Sequence, residues 1–160
     1  MSMSSAPTTQ LHHDYLMTLH APTAGPPLPV DAALTIFHSS EGWAKGPKID
    51  AVILAPTGDW LRTMPDGTLR VDARMTLRTD DGALIHVSYG GVIRISPQQF
   101  QAMGAGATLT SDDIYFVTAP MFQTSHPDYL WLNQLQAIGK VAALKGGEGG
   151  YVAYDVFGIR

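Results

Sequence analysis

The stretch LRVDARMTLRTDDGALIHVSYGG, residues 69–91, decides the fold of this chain. Apolar and polar residues alternate over residues 69–78, and apolar residues again occupy every second position in the second half, at Ile85, Val87 and Tyr89. A period of two residues is typical of a strand with one buried face. Asp81-Gly82 between the two runs is a strong hairpin signal. The stretch therefore predicts two antiparallel strands joined by a tight turn.

The length of the turn follows from the register of the two strands. A two-residue loop would pair Arg78 with Ile85 and mix charged and apolar residues on one face. A three-residue loop, with Gly82 in the left-handed conformation, pairs Leu77 with Ile85, Met75 with Val87 and Ala73 with Tyr89. The other face then holds Asp72, Arg74, Thr76, Arg78, His86 and Ser88. Because a slip of one residue would move every side chain to the opposite face, we expect the three-residue loop.

The rest of the chain adds further short strands and two short helices. The other strands are predicted at residues 11–20, 33–38, 49–55, 114–124, 136–144 and 151–159. Residues 39–47 and 56–67 are predicted as turns and loops because they are rich in Gly and Pro. Ser96-Pro97 begins one helix and His126-Pro127-Asp128 begins the other. About eight strands with looped connections predict an all-β antiparallel barrel or sandwich, and we favour the barrel.

The composition excludes several classes of protein. The absence of cysteine excludes disulfide scaffolds, thiol catalysis and cysteine metal sites. The net charge is −4 and no Lys/Arg run is present, so we expect no nucleic-acid partner and no membrane partner. Residues 1–10 lack the pattern of a signal peptide and are predicted to be a disordered lead-in to a single domain, 11–160. The expected location is the cytoplasm.

No cofactor or metal motif is found in the sequence. A Gly-x-Gly-x-x-Gly after a strand, a phosphate loop and a Gly-x-Ser-x-Gly elbow are all absent. His12 and His13 are neighbours, and neighbours on a strand point in opposite directions. The remaining histidines show no spacing that places two ligands on one face of a local element. We therefore predict a protein without a cofactor and without a metal.

A series of short motifs gives a family resemblance. The motifs are Gly58-Asp59-Trp60, Asp66-Gly67, Val71-Asp72-Ala73-Arg74, Leu77-Arg78-Thr79-Asp80-Asp81-Gly82, Tyr115-Phe116, Thr118-Ala119-Pro120, Phe122 and Tyr129-Leu130-Trp131-Leu132-Asn133. In this order and spacing the chain resembles, from about residue 46 onward, a bacterial family of uncharacterised proteins, the domain of unknown function 3237. The resemblance implies a closed or nearly closed β-barrel that forms a homo-oligomer, with no assigned chemistry. Val117 and Gln123 replace an Arg and a Glu that the pattern leads us to expect.

Two interpretations of the hairpin compete for the candidate site. In the first, the polar face is solvated, and its cross-strand pairs contribute a few tenths of a kcal/mol each. In the second, the polar face lines a cavity, where Asp72 and Arg74 would orient a substrate and His86 would move a proton near neutral pH. The two interpretations exclude each other because they place opposite faces inside the barrel.

Tyr89 is the candidate on the apolar face. It is either a core residue whose hydroxyl finds a partner, or a hydrogen-bond donor in an apolar pocket with Met75 and Val87 as walls. Ala73 opposite Tyr89 would leave room for a ring, and the glycines at 90 and 91 would let the barrel open beyond it. We place the pocket in the barrel interior on this basis.

Aromatic residues in predicted loops and helices form a third set of candidates. Trp60 would cover one end of the barrel as a lid, while Asp59 beside it would cap its own turn. Tyr129, Trp131 and Asn133 lie in the second helix, where they would plug the barrel or form a wall of the pocket.

The exclusions and the barrel together lead to a functional hypothesis. We expect a cofactor-independent acid–base enzyme of the isomerase, lyase or cyclase type, acting on a small apolar or aromatic molecule. Its catalytic candidates are Tyr89, His86, Asp72 and Arg74. Its substrate-binding candidates are Trp60, Met75, Val87, Tyr129, Trp131 and Asn133. The alternatives are a non-catalytic lipocalin-like binding protein and a purely structural oligomer.

Overall fold

The computed structural model describes residues 6–160 and is built almost entirely of strands. Residues 6–10 of the predicted lead-in are exposed and contain no helix or strand, while residues 1–5 lie outside the described residues. The strands are β1 His13–Pro22, β2 Leu28–Pro29, β3 Leu34–Ser39, β4 Gly42–Gly46, β5 Ile49–Thr63, β6 Leu69–Thr79, β7 Leu84–Arg94, β8 Thr108–Leu109, β9 Tyr115–Thr118, β10 Met121–Gln123, β11 Ala137–Lys145 and β12 Tyr151–Ile159. The helices are α1 Pro97–Gly104 and a 3-10 helix, Pro127–Gln134.

Eight strands close into a ring in which every neighbour is antiparallel. The order around the ring is β1, β4, β5, β6, β7, β9, β11 and β12, and β12 pairs again with β1. Two long strands each pair with two short ones on the same side. Strand β5 pairs first with β4 and then, in its second half, with β3. Strand β7 pairs with β10 in its first half and with β9 in its second half. Sequential neighbours pair throughout the ring, as in up-and-down barrels. The predicted all-β antiparallel barrel of about eight strands is confirmed.

The β6–β7 hairpin has the predicted register and turn. Leu77 pairs with Ile85 and Ala73 with Tyr89, so the apolar face of both strands lies in the barrel core. The loop contains residues 80–82, and the Thr79 N–H donates to the Ala83 carbonyl oxygen at 3.0 Å. Gly82 has a φ of 85°, in the left-handed region where a side chain is penalised.

Strand β4 occupies a segment that the sequence predicts as a turn. Gly42 and Gly46 suggested a turn, but here they allow β1 to approach β4 closely. A Cβ at Gly42 would lie 2.1 Å from the carbonyl oxygen of His20, and one at Gly46 would lie 1.9 Å from that of Leu16. The prediction was wrong because glycine also marks places where two backbones meet without room for a side chain.

Strand β5 extends through most of the loop predicted at residues 56–67. The pairing of β5 with β6 shifts register between Leu54 and Gly58, which accommodates Pro56 as an irregularity inside the strand. The strand then continues to Thr63, and only the turn around Gly67 remains from the predicted loop. The prediction of a loop was wrong here because proline and glycine mark bulges inside barrel strands as well as strand ends.

The two ends of the barrel differ. We call one the plugged end, because the 3-10 helix lies there with Leu132 fully buried, beside the β6–β7 turn. We call the other the loop end, which carries the β5–β6 turn, helix α1 and the β11–β12 turn. Both helices begin at the predicted caps, Ser96 and His126. Neither helix in residues 6–160 has the length and apolar character needed to cross a membrane.

The turn geometry gives a first prediction. Gly82→Ala should lower the free energy of unfolding by about 1 kcal/mol, because its φ is positive although no atom would crowd the new Cβ. Gly104→Ala is the matched control, since Gly104 also has open space but no positive φ. Urea denaturation followed by circular dichroism measures both. An equal effect of the two substitutions would contradict this account of the turn.

The close contact between β1 and β4 gives a second prediction. Gly46→Ala should destabilise the barrel several-fold more than Gly82→Ala, because its Cβ would meet backbone atoms that cannot move without opening the ring. The same urea titration compares the two variants. A Gly46→Ala protein as stable as the Gly104→Ala control would show that β1 does not pack against β4 in this way.

Candidate functional site

Three residues form a row across neighbouring strands on the inner face of the barrel. Ala73 on β6 is directly opposite Asp59 on β5 and directly opposite Tyr89 on β7. Residues directly opposite in antiparallel strands share one face of the sheet. Ala73 and Tyr89 are 2% and 8% exposed, so this face is the interior. Because the methyl group of Ala73 is small, Asp59 and Tyr89 face each other across it.

Tyr154 on β12 brings a second phenol to the row. Its ring centroid lies 5.8 Å from that of Tyr89, with the planes at 72°. Phe116 lies 5.2 Å from Tyr154 at 85° on the other side. Both are edge-to-face contacts of the kind that aromatic rings prefer. Two buried tyrosines and a phenylalanine therefore form an aromatic wall next to Asp59.

The Asp59 carboxylate is held by the backbone of the neighbouring strand. Its Oδ1 accepts a hydrogen bond from the Asp72 N–H at 3.0 Å. The β5–β6 pairing includes Asp59 with Ala73 and Arg62 with Arg70 but omits the positions between them. The carboxylate thus takes an N–H that regular pairing would have used. Within residues 6–160 no hydrogen bond is made to Oδ2, the second oxygen.

Burial sets the protonation states of these groups. Burial away from water raises the pKa of Asp59 to about 6. The hydrogen bond from the Asp72 N–H lowers this pKa, and the negative charge of the Asp72 carboxylate raises it. Burial also raises the pKa of Tyr89, with the negative charge of Asp59 as a second cause. The pKa of Tyr154 rises for the same reason. Near neutral pH the site therefore contains a carboxyl that can exchange a proton and two phenols that remain protonated.

The buried threonines are already engaged. Thr57 donates to the Leu54 carbonyl oxygen at 3.0 Å, and Thr118 donates to the Gly139 carbonyl oxygen at 3.5 Å. Thr79 bonds within the β6–β7 turn. Each hydroxyl thus stabilises local backbone structure. The Tyr154 hydroxyl donates to the Tyr89 oxygen, so the Asp59 carboxyl and the Tyr89 O–H are the polar groups that this part of the interior offers to a ligand.

The polar face of the hairpin lies outside the barrel. His86 and Arg74 are exposed. Asp72 is half-buried and forms ion pairs with Arg62 at 3.6 Å and Arg74 at 3.4 Å. The interpretation in which this face lines a cavity needs these side chains inside, and the structure places them outside. Surface ion pairs of this kind contribute at most about 1 kcal/mol.

The apolar candidates lie in the core, but Trp60 does not cover the barrel. Met75 and Val87 are buried neighbours of the Ala73–Tyr89 pair on the side of the plugged end. Trp60 belongs to β5 and lies on the face opposite to Asp59, where its ring packs against Gly58. The lid prediction for Trp60 was wrong because the strand continues through it. Asp59 likewise caps no turn of its own.

The aromatic residues of the 3-10 helix lie at the plugged end. The Tyr129 hydroxyl donates to Asp81 at 3.3 Å, and the Lys48 Nζ lies 5.4 Å from the Trp131 ring. The amide of Asn133 holds the backbone of Thr124 through two hydrogen bonds of 2.9 and 2.8 Å. Six residues of β6 separate Ala73 from this end, which is roughly 20 Å. The structure therefore does not bring these three residues together with Tyr89.

A group of possible metal ligands also lies at the plugged end. Ligand atoms of Asp81, His126 and Asp128 are within 4.8 Å of one another, although the sequence predicts no metal site. Asp81 already accepts hydrogen bonds from Thr79 and Tyr129, and both aspartates are exposed. We assign no metal to this group.

Sequence reasoning missed two members of the interior site. Asp59 was assigned to a loop because Pro56 and Gly58 precede it. Tyr154 was placed on a predicted strand, but no local pattern indicated which strand it would face. Gly91 packs closely against β9, where a Cβ would lie 2.7 Å from the Val117 carbonyl oxygen.

Comparisons with known proteins agree with this architecture. A UPF0311 protein of Rhodopseudomonas palustris strain TIE-1 is 35% identical over 102 residues, which is 63% of this chain and 66% of the relative. The aligned part thus spans just under two thirds of that relative. The crystal structure of the conserved protein of unknown function RPA1785 from Rhodopseudomonas palustris has 26% identity and a TM-score of 0.84, covering 96% of this chain and all of that one.

A more distant neighbour has the same fold. The crystal structure described as that of an enzyme from Penicillium herquei has a TM-score of 0.67 and 22% identity, and covers 98% of this chain and 99% of that one. The family model for the protein of unknown function DUF3237 matches residues 10–159. Because that match includes nearly all of the barrel, this chain belongs to the DUF3237 family.

Proposed function

We propose that this protein is a cofactor-independent acid–base enzyme that acts on a small apolar or aromatic molecule in the barrel interior. The observation that supports the proposal is the placement of Asp59 opposite Tyr89, with only the methyl group of Ala73 between them. A carboxyl and a phenol that face each other in a site of low polarity form an acid–base pair. The position near the loop end would give a ligand its entrance.

The geometry supports a proton transfer next to a carbonyl group. Oδ2 of Asp59 would take a proton from the carbon beside the carbonyl, and the electrons of the broken C–H bond would move onto the carbonyl oxygen. The hydroxyl of Tyr89 would donate a hydrogen bond to that oxygen, while Tyr154 donates to the Tyr89 oxygen. Return of the proton to another carbon completes an isomerisation. Departure of a leaving group from the next carbon with its electron pair completes an elimination. Attack of the enolate carbon on a second carbonyl carbon of the same molecule completes a cyclisation, because the electrons of that C=O bond move to its oxygen, which takes the proton back from Asp59.

The neighbour from Penicillium herquei supports the enzyme hypothesis at the level of the fold. Its description as an enzyme indicates that a barrel of this kind can carry catalysis. A shared fold at this level of identity does not transfer a reaction. The proposal therefore depends on the residues of this chain.

An exchange experiment tests the proposed chemistry. 2-Acetylnaphthalene in D₂O is the probe, because its methyl protons exchange only if a base removes one of them. We expect the protein to accelerate the exchange and Asp59→Asn to abolish the acceleration. Tyr89→Phe should reduce it by roughly 10- to 100-fold, since an unpaired oxyanion loses a hydrogen bond of about 1–3 kcal/mol. Proton NMR follows the methyl signal.

Substitutions on the outer face are the controls for this experiment. His86→Ala and Arg74→Ala remove a base and a cation but leave the interior unchanged, so both variants should exchange at the parent rate. Loss of exchange in these variants with Asp59→Asn unaffected would reverse our assignment of inside and outside. Absence of exchange by the parent protein would contradict the proposed function and favour a binding protein.

The raised pKa of Asp59 predicts a pH-dependent effect on stability. The pKa of Asp59 is about 6 in the folded protein and 3.8 in the unfolded chain, so the protonated carboxyl favours the folded state. This stability is lost as the pH rises through about 6, because the carboxyl then becomes charged in the interior. The free energy of unfolding of Asp59→Asn should therefore equal that of the parent near pH 3 and exceed it by about 2–3 kcal/mol at pH 8. Urea denaturation across this pH range measures the difference. A constant difference would show that Asp59 is not buried in its charged form.

A further inference from the structure

We infer, on the basis of the proposed function, that the interior site selects uncharged ring compounds with a carbonyl or phenolic oxygen over their anionic counterparts. The inference rests on where the charged side chains of the whole chain lie relative to the Asp59–Tyr89 pair. It goes beyond the acid–base chemistry because it specifies the class of substrate.

No basic side chain faces the site. All ten Lys and Arg residues of the chain lie within residues 6–160, and nine of them are exposed. Lys145, the tenth, is half-buried, and its Nζ lies beside Gly149 in the β11–β12 turn. Arg62 and Arg74 form their ion pairs with Asp72 on the outer face. A carboxylate or phosphate inside the barrel would therefore have no counter-ion.

The histidines do not supply a positive charge either. His20 and His126 are half-buried, and the other four are exposed. His20 stacks between Trp43 and Tyr151, at 5.1 and 4.5 Å, on the outer face of the barrel. His126 caps the 3-10 helix at the plugged end. No histidine of residues 6–160 therefore places a ring in the interior site.

Asp59 adds a charge that disfavours anions. The Asp59 carboxylate lies close enough to Tyr89 for its charge to raise the pKa of that phenol, and it is ionised at alkaline pH. Two negative charges in a site of low polarity repel each other strongly, and the ligand would also lose its hydration. A neutral ligand avoids both costs.

The tyrosines favour a neutral oxygen acceptor. Tyr89 and Tyr154 lie in one aromatic wall, and the Tyr154 hydroxyl donates a hydrogen bond to the Tyr89 oxygen, which leaves the Tyr89 O–H for a ligand. A carbonyl oxygen accepts from such a donor without carrying a charge. The aromatic edges of this wall complement a planar ring. Ketones and phenols with a planar ring are the class that satisfies these contacts.

A matched pair of ligands tests the selectivity. 2-Acetylnaphthalene and 2-naphthoate have the same ring and nearly the same shape, but only the second is charged. Isothermal titration calorimetry at pH 8 should show a Kd at least tenfold lower for the ketone. The preference should shrink in Asp59→Asn and at pH 5, where Asp59 is protonated, but should not vanish because no cation replaces the lost charge.

A pair of substitutions on β6 tests the location of binding. Ala73→Phe places a ring between Asp59 and Tyr89 and should abolish binding of 2-acetylnaphthalene. Thr76→Phe adds the same ring to the outer face and should leave binding unchanged. Circular dichroism checks that both variants fold. If Ala73→Phe does not fold, Ala73→Val replaces it and should weaken binding. Undiminished binding by a folded Ala73 variant would overturn the inference.

The outcomes separate this inference from the proposed function. Equal or tighter binding of 2-naphthoate, or no binding of either ligand, overturns the selectivity. If 2-naphthoate binds as tightly as the ketone or tighter, the exchange experiment with Asp59→Asn still decides the acid–base chemistry. A tenfold preference for the ketone without Asp59-dependent exchange would support the selectivity while contradicting the enzyme, as expected for a carrier.

Discussion

Closure of the ring is the constraint on which the rest of the structure depends. Strand β1 must pair with β12 and β4 at once, and the carbonyl oxygens of His20 and Leu16 approach Gly42 and Gly46 so closely that no side chain would fit. With the ring closed, every strand has one face toward a shared interior and no long edge is left unpaired. The division between inner and outer residues, and therefore the site, follows from this closure.

The barrel keeps nearly all its charge outside and makes an exception at Asp59. The carboxyl is tolerated because the Asp72 N–H binds one oxygen and because protonation near pH 6 relieves the rest of the cost. A protein under selection for stability alone would place an apolar residue opposite Ala73. Retention of an unfavourable group in the interior is expected where chemistry requires it, since functional sites are the usual places at which a structure gives up stability.

The two ends of the barrel have different tasks in this scheme. At the plugged end, Leu132 is buried, Tyr129 binds Asp81, and Asn133 fixes the backbone of Thr124, so the helix closes the interior. In the half nearer the loop end, Asp59 and Tyr89 face each other across a small residue. Residues that a sequence analysis groups together because they are aromatic are thus divided between closing the barrel and lining it.

Local pattern determined the β6–β7 hairpin, its register and the positive φ of Gly82, because residues that pair across a tight turn are close in sequence. It also determined both helix caps and the face of the hairpin on which Tyr89 lies, since alternation shows which face is apolar, whereas ring closure decided that this face points inward. Only the tertiary structure decided that the segment around Gly42 is a strand and that Asp59 faces inward beyond a bulge. The partners of Tyr89 come from strands 30 and 65 residues away, on β5 and β12. Such contacts depend on ring closure, which no local pattern encodes, and the approach of His126 to Asp81 is hidden from the sequence for the same reason.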